Sequence, residues 1–78
     1  MEFSKKIQEL RNKNKLTQEQ FAEKLYVSRT AVSKWESGKG YPSIDSLKDI
    51  SKIFNVSIDE LLSNEEIIDI AKNENTSN

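Results

Sequence analysis

Apolar residues recur at three- and four-residue intervals along most of the chain. Phe3, Ile7 and Leu10 form one set, Phe21, Ala22 and Leu25 a second, and Ile44, Leu47, Ile50, Ile53 and Phe54 a third. This spacing puts each set on one face of a helix, and the apolar–polar alternation of a half-buried strand is missing. Capping residues set the boundaries. Ser4 reads as the N-cap of a first helix that runs to about Asn12 and ends in Asn-Lys-Asn-Lys. Thr17-Gln-Glu-Gln20 has the spacing of a capping box and opens a second helix. Ser28 caps a third, which should stop at Ser37-Gly38, where glycine supplies a left-handed residue. Lys39-Gly-Tyr-Pro42 is a loop, because Pro42 pushes its predecessor out of the helical region.

The second half reads in the same way. Ser43 caps the fourth helix, and Ser57-Ile-Asp-Glu60 is another capping box, opening a short fifth helix with Ile58, Leu61 and Leu62. Ser63-Asn-Glu-Glu66 offers a cap for a brief sixth helix holding Ile67, Ile68, Ile70 and Ala71. From about Lys72 the sequence KNENTSN has nothing to bury and is expected to be disordered. The expected fold is therefore all-α, a compact bundle of five helices with a possible short sixth. Residues 1–63 form the domain, and residues 64–78 a short helix and polar tail. The step from helix two to helix three is very short, the spacing of a helix-turn-helix, in which the second helix enters a DNA groove.

Composition narrows the function. The 78 residues include no cysteine and no histidine. Disulfides, thiolate metal sites, a Ser-His-Asp triad and histidine-based zinc sites are thereby excluded. No metal and no cofactor are expected, and an enzyme is not. Asp45, Asp49, Asp59 and Glu60 read as first-turn and surface acids that favour helix N-termini. No apolar run reaches the roughly 18–20 residues of a membrane span. Together these features suit a reducing, cytoplasmic setting. The net charge of −1 hides a split. Residues 1–42 carry nine Lys and Arg against five Glu, a balance of +4, and residues 43–78 three Lys against eight acids, a balance of −5. Such asymmetry suits a face that meets a polyanion, and it also suits plain solvated surface.

Residues 28–37 sharpen the choice. At about 100° per residue, Ala31, Val32 and Trp35 fall within one arc, so Trp35 reads as core. Arg29, Thr30, Ser33 and Lys34 lie on the opposite side with Ser37, and no acid stands at the centre of that face. An ordinary solvated face is usually rich in long charged residues paired four apart. Short Ser and Thr groups flanked by Arg and Lys instead allow close approach to base edges: arginine to guanine, the threonine methyl to thymine.

The run LTQEQFAEKLYVSRTAVSKWESGKGYPSIDSLKDISKIFNVSIDELL, residues 16–62, resembles the Xre/Cro-type helix-turn-helix domain of bacterial and phage regulators. With the first helix the likeness covers residues 3–62. The resemblance implies a lambda-repressor-like domain that binds double-stranded DNA as a homodimer on a palindromic operator, most simply as a repressor. It implies that Arg29, Thr30, Ser33 and Lys34 face base edges in the major groove. Gln18, Ser28, Ser37, Lys39 and Tyr41 would meet phosphates, and Arg11 would pair with Glu36. Two positions depart from the family, which often has glycine where Tyr26 and Lys15 stand. A left-handed backbone would cost Tyr26 roughly 1–2 kcal/mol.

Ile58, Leu61, Leu62, Ile67, Ile68 and Ile70 exceed what a four-helix core needs. They suit a dimer interface, and they suit packing under helices one and four. A protein-interaction or antitoxin-like regulatory subunit built on the same helices is the alternative function. A large apolar patch on the third helix would favour it, and the sequence has the reverse there. On location, the expectation is the bacterial cytoplasm, in association with the nucleoid.

Overall fold

The computed structural model describes the backbone of residues 2–75 and the side chains of residues 2–72. Within them the chain forms six helices: α1 Glu2–Lys13, α2 Gln18–Leu25, α3 Arg29–Glu36, α4 Ile44–Phe54, α5 Ile58–Leu61 and α6 Asn64–Asn75. No strand occurs among the described residues. α1 packs on α3 and α5, α2 on α3 and α4, and α4 on α5. Phe3, Ile7, Phe21, Val32 and Ile50 are fully enclosed at the centre, with Trp35, Leu47 and Leu25 around them. Phe21 stacks on Phe54 with ring centroids 4.9 Å apart, and Phe3 meets Tyr41 at 5.6 Å.

Local capping chemistry sets most of the helix starts. Thr17 and Gln20 form a reciprocal capping box at α2, and Ser57 and Glu60 another at α5. Ser28 and Ser43 cap α3 and α4, each accepting a backbone N–H three residues on. Ser63 and Glu66 exchange the same pair of bonds at α6. Each box satisfies N–H groups that the first helical turn leaves without partners.

The ends of α1 to α4 share one device. Leu16 N–H bonds Arg11 O, Val27 N–H bonds Ala22 O, Lys39 N–H bonds Lys34 O, and Val56 N–H bonds Ser51 O. Each bond spans five residues, the closing bond of a Schellman turn, and each needs a left-handed residue just before its donor. Those residues are Lys15 (φ 57°), Tyr26 (φ 56°), Gly38 (φ 78°) and Asn55 (φ 54°). Only one is glycine. Three of the residues that follow, Leu16, Val27 and Val56, pack against the core. The left-handed step turns an apolar side chain inward, and that burial offsets the backbone cost. Both departures from the family's glycines therefore keep the turn that glycine would make.

Some expectations change. Ser4 is not an N-cap: α1 starts at Glu2, and Ser4 is buried inside it. Phe3 decides this, because it reaches the core beside Ile7 and Leu10 only if residue 3 is already helical. Ile44 and Ile53 on α4 are exposed, not inward. Leu47, Ile50 and Phe54 define the α4 core face, and Ile53 lies about 120° from Leu47 around the helix. The sixth helix is longer than a brief one and continues through Asn75, so order does not stop near Lys72. The rest of the expected disordered tail, residues 76–78, lies outside the described residues.

Three residues assigned to a dimer interface are spent inside the chain. Leu61, Leu62 and Ile70 are buried in its own core, because α6 folds back and closes the gap beside α4 and α5. Ile58 and Ile67 are partly buried against the same core, and Ile68 is 53% exposed.

If the left-handed step at Lys15 is tolerated and not required of lysine, Lys15→Gly should raise stability by about 1 kcal/mol. Denaturant unfolding followed by circular dichroism measures it. A loss of stability would mean the lysine side chain contributes to the turn.

Candidate nucleic-acid interface

α3 presents two unlike faces. Val32 and Trp35 are buried and Ala31 is partly buried against the core. Arg29, Thr30, Ser33 and Lys34 are all exposed on the other side. The helix has only eight residues, too few to be stable alone, so its packed face holds it in place. Two of its hydroxyls serve the helix itself. Ser28 Oγ accepts from Ala31 N–H at 3.0 Å, and Ser37 Oγ donates to the Lys34 carbonyl at 3.2 Å. Both residues remain exposed at the two ends of the polar face, and Lys39 lies exposed just beyond.

The angle of α3 is set by Glu36, which is only 8% exposed. Arg11 on α1 grips its carboxylate with two prongs, Nε to Oε2 at 2.7 Å and Nη2 to Oε1 at 3.0 Å. Arg11 Nη1 also donates to the Leu16 carbonyl at 3.0 Å, fixing the α1–α2 loop. Gln18, the first residue of α2, donates from Nε2 to Glu36 Oε1 at 3.1 Å. Gln8 donates from Nε2 to the Glu36 carbonyl at 2.8 Å. One carboxylate and one carbonyl thus join α1, α2 and α3. Hydrogen bonding to Glu36 raises the Arg11 pKa above its ordinary value, against the opposing effect of burial. No buried side-chain nitrogen or oxygen among the described residues lacks a partner.

Two residues expected at phosphates are already engaged. The Gln18 amide spends one N–H on Glu36, and its second amide N–H and its backbone N–H at the first position of α2 are the donors that remain. Tyr41 donates its hydroxyl to Glu66 Oε2 at 2.6 Å, so its proton is committed to α6. Burial first, then the bond to Glu66, pushes the Tyr41 pKa up to about 12. For Glu66, burial works to raise the pKa. Hydrogen bonds from Tyr41, Ser63 and the backbone outweigh it, and the net shift is downward.

No local motif in the sequence marks Gln8 and Glu66 as residues that join distant helices. Gln8 sits three before Arg11, on the same face of α1, which is the one signal that could have found it. The spacing Ser63-Asn-Glu-Glu66 marks Glu66 only as part of a cap, and nothing local to it indicates Tyr41, 25 residues away.

A short turn places a two-faced helix against a partner helix, and the helix-turn-helix family matches residues 7–61. The chain belongs to the helix-turn-helix family. A relative from Enterococcus faecalis named HTH-type transcriptional activator BcrR is 68% identical over all 78 residues, which cover 38% of that protein. The uncharacterized HTH-type transcriptional regulator YqaE of Bacillus subtilis is 40% identical over 81% of this chain and 54% of its own length. The Cryptic phage CTXphi transcriptional repressor RstR of Vibrio cholerae is 34% identical over 78% of this chain and 54% of its own. This helix-turn-helix chain thus spans between about two fifths and just over half of the curated relatives it matches. No solved structure is a significant match. Among the described residues, no helix is long and apolar enough to cross a membrane.

The Tyr41–Glu66 bond gives a two-sided pH dependence. Glu66 protonates less readily in the folded chain, so its contribution is present above about pH 4.5 and is lost as pH falls through the lowered value. Glu66→Gln should flatten the fall in stability between neutral pH and acid, measured by denaturant unfolding across pH. Tyr41 behaves in the opposite sense, keeping its contribution below its ordinary 10 and losing it as pH rises toward 12. Ultraviolet titration of Tyr26→Phe, which leaves Tyr41 as the only tyrosine, should show ionisation near 12.

Proposed function

We propose that this chain is the sequence-specific DNA-binding part of a transcriptional regulator, working on double-stranded DNA in the bacterial cytoplasm. One observation carries the reading. The exposed face of α3 gathers Arg29, Thr30, Ser33 and Lys34 with no acid among them, while the opposite face is locked into the core. A helix held in this way enters the major groove as a rigid body. Arg29 and Lys34 supply donors for guanine O6 and N7, and Thr30 and Ser33 read through short contacts to base edges. Lys39 and the free N–H groups at the starts of α2 and α3 meet phosphates and set register. The acidic half of the chain is no obstacle, because the basic half carries this face, and the overall charge of −1 keeps non-specific binding weak.

Names among the relatives include both an activator and a repressor. A helix in the major groove serves either outcome, depending on whether it blocks a promoter or supports polymerase beside one. Blocking asks nothing more of this domain than occupancy, so repression is the simplest case. A homodimer on a palindromic site completes the reading, with half-sites about one helical turn apart. The surface left for it is smaller than the sequence suggests. It centres on an apolar cleft of about 110 Å3 between α4, α5 and α6, whose lining includes the exposed Ile44.

Selection of bound duplexes from a random library tests the reading, with an enriched palindrome as the expected result. The absence of enrichment would favour a protein-interaction module. On the selected duplex, Arg29→Ala should cost about 1–3 kcal/mol and relax preference at one base position. Lys39→Ala should weaken binding to every sequence alike and lower the salt slope by about 1. Equal loss on all sequences for Arg29→Ala would make Arg29 a phosphate contact.

A further inference from the structure

Tyr26 ends α2 in the left-handed conformation, φ 56° and ψ 40°, and its side chain is 93% exposed. The turn needs the conformation, since Val27 must pack inward. It does not need a tyrosine, and glycine would adopt the same angles without the Cβ clash. Neither the ring nor the hydroxyl of Tyr26 has a partner among the described residues. A bulky aromatic at positive φ with nothing to hold is costly to the fold, and such outliers point to a use outside it.

Its place in the chain says where that use lies. Tyr26 is three residues before Arg29, so their Cα atoms are within about 11 Å. The major groove is about 12 Å wide and is walled by phosphates. When α3 lies in the groove with Arg29 near its leading end, the preceding turn crosses the groove's rim. The adjoining Ser28 Oγ accepts the capping bond and keeps its short-reach O–H, and Tyr26 adds a second, longer-reaching hydroxyl donor to this segment at the rim. We infer that Tyr26 is a positioning residue of the DNA interface, its hydroxyl donating to a phosphate oxygen beside the bases that α3 reads. The inference rests on the DNA-binding reading above. It exchanges part of the fold's stability for a contact that fixes the approach of α3.

The test compares the full chain with Tyr26→Phe and Tyr26→Gly. Affinity is read by fluorescence anisotropy on the duplex that the wild-type chain selects and on a scrambled duplex, and stability by thermal unfolding. Tyr26→Phe should keep the wild-type midpoint and bind both duplexes about tenfold more weakly, the size of one charge-assisted hydrogen bond. Tyr26→Gly should melt about 5 °C higher, because strain is relieved, and still bind more weakly. That opposition between stability and affinity is something a purely structural role would not produce. If Tyr26→Phe binds as the wild type does, the inference is overturned and the exposed ring serves no DNA contact. If the wild-type chain selects no duplex, the DNA-binding reading itself fails first.

Discussion

Glu36 brings a negative charge to the meeting point of three helices, where little of it touches solvent. A charge there is tolerable only if it is paired and fully hydrogen-bonded. Arg11 meets that demand with a two-pronged grip, and Gln18 fills a remaining acceptor position. The fork of arginine fits a carboxylate in one orientation, so the bond carries direction as well as energy. α1 and α3 cannot rotate against each other without opening it. Gln8 holds the Glu36 carbonyl from the same side and closes the last turn of α3. The polar face of an eight-residue helix thereby inherits the rigidity of the whole domain.

Packing supplies the rest of the constraint. Val32 and Trp35 seat α3 on the core, and the left-handed step at Tyr26 brings Val27 in behind it. The same device at Lys15 and Asn55 seats Leu16 and Val56. Three of these turns place a partly buried apolar residue, Leu16, Val27 or Val56, against the core, so those turns pack as part of it. On the far side, Tyr41 and Glu66 tie the loop after α3 to α6. The loop that carries Lys39 is thus held at both ends, by α3 and by the Tyr41–Glu66 bond.

How much of this is legible in the sequence depends on range. Caps and capping boxes at Thr17, Ser28, Ser43, Ser57 and Ser63 are visible because both partners lie within three residues. The two faces of α3 are visible because helical spacing alone separates Trp35 from Ser33. Ser4 misled because serine is a good cap in isolation, whereas the burial of Phe3 is decided by contacts with distant helices. Ile53 misled because its side of α4 depends on which neighbours arrive there. The surplus of isoleucine and leucine near the C-terminus looked like an interface, since nothing local shows α6 folding back to bury Ile70 and close over Leu61 and Leu62. Gln8, Glu66 and the hydroxyl of Tyr41 find partners more than twenty residues away, and no spacing rule reaches that far. The resemblance to regulators supplied the roles on α3, and the chemistry of its exposed face supports them independently.

The central claim is that the two-pronged Arg11–Glu36 contact aims α3. Arg11→Lys tests it most directly, because lysine keeps the charge but cannot span both oxygens as a planar fork. The measurement is affinity for the selected duplex, taken with the far-ultraviolet circular dichroism of the same sample. The account predicts an unchanged helical spectrum with affinity about tenfold lower, equal to ~1.4 kcal/mol of lost preorganisation. Wild-type affinity in a folded Arg11→Lys chain would contradict it.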